Sequence, residues 1–224
     1  MTSYLIGLGI KILLLAPPIL LALTVHEASH ALVAWIRGDD TARRQGRLTL
    51  NPIKHLDVAG TLVFFITAWV GSGIGWAKPV PVDYRNLKNP LRDIIWVSAA
   101  GPVANLATAC LLALALHGLV AGGLFREPSL PVYYLGQMFI LGVQVNLVLA
   151  MFNLLPLPPL DGSGIVTGLL PLRLAMRYQE LKRYGFALLL ALIFLPRVVP
   201  AFPDLIGLLV VWPARELMDL LLPL

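Results

Sequence analysis

The chain has 224 residues, of which 58% are hydrophobic and only 13% are charged, and its mean hydropathy is +0.81. Soluble domains usually carry about a quarter charged residues, so this composition excludes an ordinary soluble protein. The single cysteine, Cys110, excludes an intrachain disulfide and a cysteine-based metal cluster. The net charge of +5 does not call for nucleic acid, because basic cytoplasmic loops account for such a surplus in membrane proteins.

Apolar runs separated by basic or proline-rich stretches predict an all-α polytopic membrane protein with about four to six transmembrane helices. The first run, 4–36, contains Pro17-Pro18 and is too long for one straight span, so we expect a kink or break there. The alternating RLTLN at 47–51 indicates a short strand. The later apolar runs are 58–77, 94–123, 132–155 and 184–213.

The distribution of basic residues bears on the path of segment 58–77. Stretches 37–57, 78–92 and 171–183 hold five, four and four Lys or Arg, whereas 121–131 holds only Arg126. All thirteen lie on one side if 58–77 enters the membrane as a helix and returns as an extended segment, so we expect a small re-entrant extended or β hairpin here. The positive-inside rule then makes that side cytoplasmic. The sequence leaves open full crossing by 58–77, and one or two crossings by 184–213.

Three ionisable residues interrupt the first apolar run as 26-HEASH-30. On a helix, histidines four residues apart share a face, so both imidazoles can reach one metal ion. The intervening Glu27 is placed to take a proton from a metal-bound water. Ionisable groups are costly in a bilayer and usually functional there. The motif therefore predicts a catalytic zinc site inside the membrane, with His26 and His30 as ligands.

Catalytic zinc usually has three protein ligands, so a third residue is needed. His55 lies in the basic loop and His117 near the far end of its apolar run. Asp161 is the only carboxylate between Glu127 and Glu180, and a re-entrant 58–77 would bring it to the depth of the histidines. An aspartate before Gly-Ser-Gly could also act as a helix N-cap, which is compatible with binding a metal.

The motifs HEASH and 153-NLLPLPPLDG-162 resemble those of the site-2 proteases, the M50-type intramembrane zinc metalloproteases. 101-GPVAN-105 is similar to a third family element, and the resemblance covers about residues 20–170. Without a PDZ domain between its motifs, the chain resembles the compact bacterial-type branch.

The resemblance implies that His26, His30 and Asp161 bind one Zn²⁺ and that Glu27 activates water. Asn153 would donate a hydrogen bond to the oxyanion. Asn105 and the hairpin residues would position substrate, which would add as a strand at about 71–82; the hairpin residues are Gly75, Trp76 and Ala77.

We therefore expect one integral-membrane metalloprotease domain, 1–224, with a catalytic core at about 20–170 and a C-terminal membrane region at 184–213. Its partners would be the lipid bilayer and membrane-protein substrates cut within a transmembrane segment, with no nucleic acid. Its place would be the bacterial inner membrane, with the active site toward the cytoplasm. The alternatives are a transporter or channel that uses buried His and Glu, and a metal-stabilised scaffold. Substrate identity, trigger and oligomeric state do not follow from the sequence.

Overall fold

The computed structural model describes residues 2–69, 77–199 and 201–222, and these residues are mostly helical. Three of their helices are long and apolar enough to cross a membrane, against the four to six expected. They are α1 (Thr2–Arg37, with the candidate span Ile12–Arg37), α4 (Pro90–Ala121) and α5 (Leu130–Asn153). The chain is therefore an integral membrane protein.

Shorter helices connect and flank these three. Helix α1 continues through Pro17 and Pro18 without a break, so of the expected kink or break only the kink stays a prediction. The 17-residue α8 contains Pro196 and falls within the C-terminal apolar run. The shorter elements are α2 (Thr41–Arg44), α3 (Val58–Trp69), α6 (Asp161–Leu169), α7 (Leu172–Gln179), α8 (Lys182–Val198), a π-helical turn (Gly207–Val211) and α9 (Trp212–Leu221).

The two ends of the second apolar run lie side by side. Leu56 and Ala77 form an antiparallel bridge, and the Lys78 N–H donates to the His55 carbonyl at 2.9 Å. The chain that leaves at Leu56 thus returns to the same place, as a re-entrant path requires. Within the described ranges there is this one bridge and no strand, so the β hairpin stays a prediction.

The basic loop after α1 lacks the predicted strand and contains a buried arginine. Residues 48–50 form bends, and no strand covers 47–51. Arg43 and Arg44 are exposed, whereas Arg47 is only 6% exposed. The Arg47 guanidinium donates to the Lys78 carbonyl, while its Nε is buried without a partner in the described part of the chain.

Helix α4 is the central element, since it packs against α1, α5 and α6. Its contact with α6 depends on glycine. A Cβ at Gly168 would lie 2.5 Å from the Leu91 carbonyl oxygen, and one at Gly164 would overlap the Ser98 hydroxyl. Glycines four residues apart let two membrane helices approach closely. This approach places the N-terminus of α6, and with it Asp161, beside α1.

Candidate metal centre

Two helices bring three potential metal ligands to one point. His26 and His30 occupy one face of α1 and are 5% and 7% exposed. Asp161 is the first residue of α6, where it makes no helix-capping hydrogen bond. Its Oδ2 lies 3.0 Å from His26 Nε2 and 3.2 Å from His30 Nε2, and the two Nε2 atoms are 3.1 Å apart. The three residues predicted as metal ligands from the sequence thus lie next to one another.

Hydrogen bonds behind the two rings define which nitrogen carries the proton. His26 Nδ1 lies 2.6 Å from Asn105 Oδ1, and His30 Nδ1 lies 2.6 Å from the Val97 carbonyl oxygen. Both partners are acceptors, so each Nδ1–H must donate. In neutral imidazoles this leaves an Nε2 lone pair on each ring, and both lone pairs point toward Asp161.

The cluster fits a tetrahedral zinc ion. Two Nε2 lone pairs and a carboxylate oxygen would repel one another at these distances unless a cation lay between them, and Asp161 Oδ2 is buried without a hydrogen-bond partner. Zn–N and Zn–O bonds of about 2.0–2.2 Å in tetrahedral geometry separate neighbouring ligand atoms by roughly 3.3 Å. The observed separations of 3.0–3.2 Å are close to that value.

Asn105 lies behind the metal cluster, between α1 and α5. It is fully buried, and its Nδ2 donates to the Ala22 carbonyl at 3.0 Å and to Asn146 Oδ1 at 2.8 Å. These bonds direct its Oδ1 toward His26. The side-chain hydrogen bonds of Asn105 go to α1 and α5, so its expected role in positioning substrate stays a prediction. Through its Oδ1, Asn105 also holds the His26 ring in its orientation.

Sequence reasoning missed Asn146 and Gly101. Asn146 is fully buried in α5 and completes the chain of hydrogen bonds from His26. The available signal was weak, because Asn146 is one of four amide side chains in the apolar run 132–155, although each needs a partner there. Gly101, the glycine of GPVAN, lies where a Cβ would overlap His30 Nε2 and approach His26 Cε1 to 2.5 Å. A bare helix backbone is therefore what lets the imidazoles pack against α4.

A cavity of about 310 Å³ opens beside the cluster. Glu27 and Asn153 line it together with the three clustered residues and the 79–84 segment. Glu27 Oε2 accepts a hydrogen bond from the Val80 N–H at 2.8 Å. Asn153 is the last residue of α5, and its Nδ2 donates to the Leu149 carbonyl at 3.0 Å, which leaves its second amide hydrogen available. The cavity thus holds a base and an amide beside the metal ligands.

The other candidate residues are outside the cluster or outside the described part of the chain. His55 is buried in the loop and its Nε2 contacts the Thr49 carbonyl, and His117 contacts the Ala113 carbonyl on α4, so neither joins the cluster. Gly75 and Trp76 lie outside the described residues, and Ala77 pairs with Leu56.

The two histidines and the aspartate surround one point, and Glu27 lies in the cavity beside them, within an apolar helix bundle. This fold and this site define the class of membrane zinc metalloproteases. The profile of Peptidase family M50 matches residues 123–196. A Bacillus subtilis protein named "Putative zinc metalloprotease YwhC" is 42% identical over 87% of this chain and 82% of its own length. "Putative zinc metalloprotease Rip2" of Mycolicibacterium smegmatis is 32% identical over 84% of this chain and 69% of its own length.

The chain belongs to Peptidase family M50, and it is a zinc metalloprotease. The resemblance drawn from its motifs is confirmed, and the transporter and scaffold alternatives are not favoured. No solved structure gave a significant match to the chain.

Proposed function

We propose that this protease hydrolyses peptide bonds inside transmembrane segments of other membrane proteins. The observation that carries the proposal is the depth of the cluster within α1. His30 and His26 precede the end of that helix at Arg37 by two and three turns, about 10 and 16 Å. A site at that depth would be reached from within the bilayer, which supports a transmembrane segment as the substrate.

Roles follow from chemistry and contacts. Zn²⁺ held by His26, His30 and Asp161 would supply Lewis-acid activation of the attacking water and of the scissile carbonyl. Glu27 takes a proton from that water and passes it to the leaving amine. Asn153, at the cavity wall, donates a hydrogen bond to the developing oxyanion through its free amide hydrogen.

The substrate must present an extended backbone to this site, because a helix engages its carbonyls in internal hydrogen bonds. The Ala77–Leu56 bridge and the proline-rich residues after it support an extended segment at the cavity, against which a substrate strand could lie. Three basic stretches flank the same ends of the membrane runs and support a site that opens toward the cytoplasm. The bacterial relatives support the inner membrane as its location.

Reconstitution with a panel of single-span substrates tests the proposal. Wild type and Glu27→Gln would be purified, assayed for bound zinc and placed in vesicles with each substrate. We expect about one zinc per chain in both proteins and cleavage by the wild type alone, with the cut mapped by mass spectrometry inside the span. Equal cleavage by both proteins, or cuts confined to loops outside the span, would contradict the proposal.

A further inference from the structure

The segment 77–83 crosses the cavity and is fastened to the rest of the protein at both ends. At one end, the Lys78 N–H donates to the His55 carbonyl and the Arg47 guanidinium donates to the Lys78 carbonyl. At the other end, the Asp83 N–H donates to Asp39 Oδ2 at 2.8 Å. These hydrogen bonds fix the position of the segment beside the metal ligands. None of them involves a metal ligand.

Asp39 is a strong anchor because its carboxylate accepts four hydrogen bonds, including the one from the Asp83 N–H. It is fully buried and also accepts hydrogen bonds from the Thr41 N–H, the Thr41 hydroxyl and Asn86 Nδ2. Burial alone would raise the pKa of Asp39, but these donors outweigh burial and hold the pKa below its ordinary value. The charged carboxylate thus joins the end of α1 to the turn at 83–86.

One backbone group of the segment reaches the catalytic machinery. The Val80 N–H donates to Glu27 Oε2 at 2.8 Å. Pro79 and Pro81 on either side lack an N–H, so Val80 is the single backbone donor between Lys78 and Val82. Prolines also restrict the backbone around Val80 to extended conformations. The sequence KPVPV therefore presents one donor on a stiff segment.

We propose that segment 77–83 is a positioning element for Glu27, which acts through the Val80 N–H and is anchored by Arg47 and Asp39. A glutamate side chain has three rotatable bonds, and the hydrogen bond to Oε2 restricts them while Oε1 can still accept a proton. Preorganisation of this kind matters because a misplacement of about 1 Å can cost on the order of 100-fold in rate. The inference rests on the proposed role of Glu27 as the base.

Val80→Pro removes the donor and keeps the extended backbone, whereas Val80→Ala keeps the donor and removes the side chain. Both variants would be compared with wild type for bound zinc and for kcat and KM on a single-span substrate in vesicles. Because Val80 lines the cavity, Val80→Ala is the reference that measures the loss of its side chain. Relative to Val80→Ala, we expect Val80→Pro to lower kcat by about 10- to 100-fold, with a KM within about twofold and full zinc content.

Several outcomes would overturn the inference. Equal kcat in the proline and alanine variants would show that the donor is not used. A higher kcat in Val80→Pro would show that the contact restrains Glu27 and must break for catalysis. A wild type that cleaves no better than Glu27→Gln would instead remove the proposed function itself, so the two failures are distinguishable.

If Val80→Pro loses its zinc, a second pair of variants tests whether segment 77–83 positions Glu27. Arg47→Met removes the remote anchor, and Arg47→Lys keeps a donor for the Lys78 carbonyl. We expect Arg47→Met to lower kcat with zinc and KM retained, and Arg47→Lys to restore most of the rate. Equal rates in the two Arg47 variants, or loss of zinc from Arg47→Met as well, would count against a positioning role.

Discussion

Replacing Gly101 by alanine would insert one methyl group between α4 and the two imidazoles of α1. The added Cβ would lie 2.5 Å from His26 Cε1 and 2.7 Å from His26 Nδ1, and it would overlap His30 Nε2. Nonbonded carbon atoms ordinarily approach no closer than about 3.5 Å, so the rings must move by roughly 1 Å. Metal–ligand distances hold within about 0.2 Å, so such a movement is several times what a zinc site tolerates.

The expected loss follows from the cost of overpacking, about 1–3 kcal/mol. At about 1.4 kcal/mol per tenfold change in affinity, zinc should bind about 5- to 150-fold more weakly to Gly101→Ala. The fold itself should survive, because alanine favours a helix over glycine by about 1 kcal/mol.

Competition with a chelator of known zinc affinity, in detergent, would measure this loss. Gly118→Ala is the matched control: it is the same substitution in the same helix, and its Cβ would meet nothing within 4 Å. Gly118→Ala should bind zinc as the wild type does. If Gly101→Ala binds zinc with wild-type affinity, the two imidazoles do not pack against the backbone at Gly101.

Three further substitutions separate the roles assigned around the cavity. Asn105→Ala removes the acceptor of the His26 Nδ1–H, so zinc affinity should fall by about 10- to 100-fold in the same chelator competition; an unchanged affinity would mean that the bond does not orient the ring. Asp161→Ala removes one of three clustered ligand atoms, and the purified protein should contain far less zinc than Glu27→Gln; equal zinc content would exclude Asp161 as a ligand. Asn153→Ala should keep its zinc and lose about 100- to 1000-fold in kcat, and a loss confined to KM would argue against an oxyanion contact.

The grouping of the ligands could be anticipated because much of it is local. His26 and His30 share a helix face by spacing alone, and Asp161 stands out as an isolated carboxylate in an apolar region. The return of the chain from Leu56 to Ala77 could be inferred from the placement of basic residues, since the positive-inside rule constrains topology without reference to side-chain packing.

The groups that support the ligands could not be anticipated in the same way, because their contacts join distant helices. Asn105 belongs to the GPVAN motif, but the sequence does not show which residue it contacts. Only the packing of α4 on α1 shows that it faces His26. Arg47 resembles any loop arginine until the Lys78 carbonyl is found against it. The Val80 contact depends on how a loop folds back over α1, which no local pattern encodes.

The position of Asp161 has a consequence for biosynthesis. Its carboxylate enters the membrane only after α1, α4 and α5 have been made, and α6 must then dock on the glycine-dependent contact with α4. A nascent chain released from the ribosome before that point carries HEASH but lacks a complete set of donors. A metal site with all three ligands can therefore form only once Asp161 has been made and α6 has docked on α4.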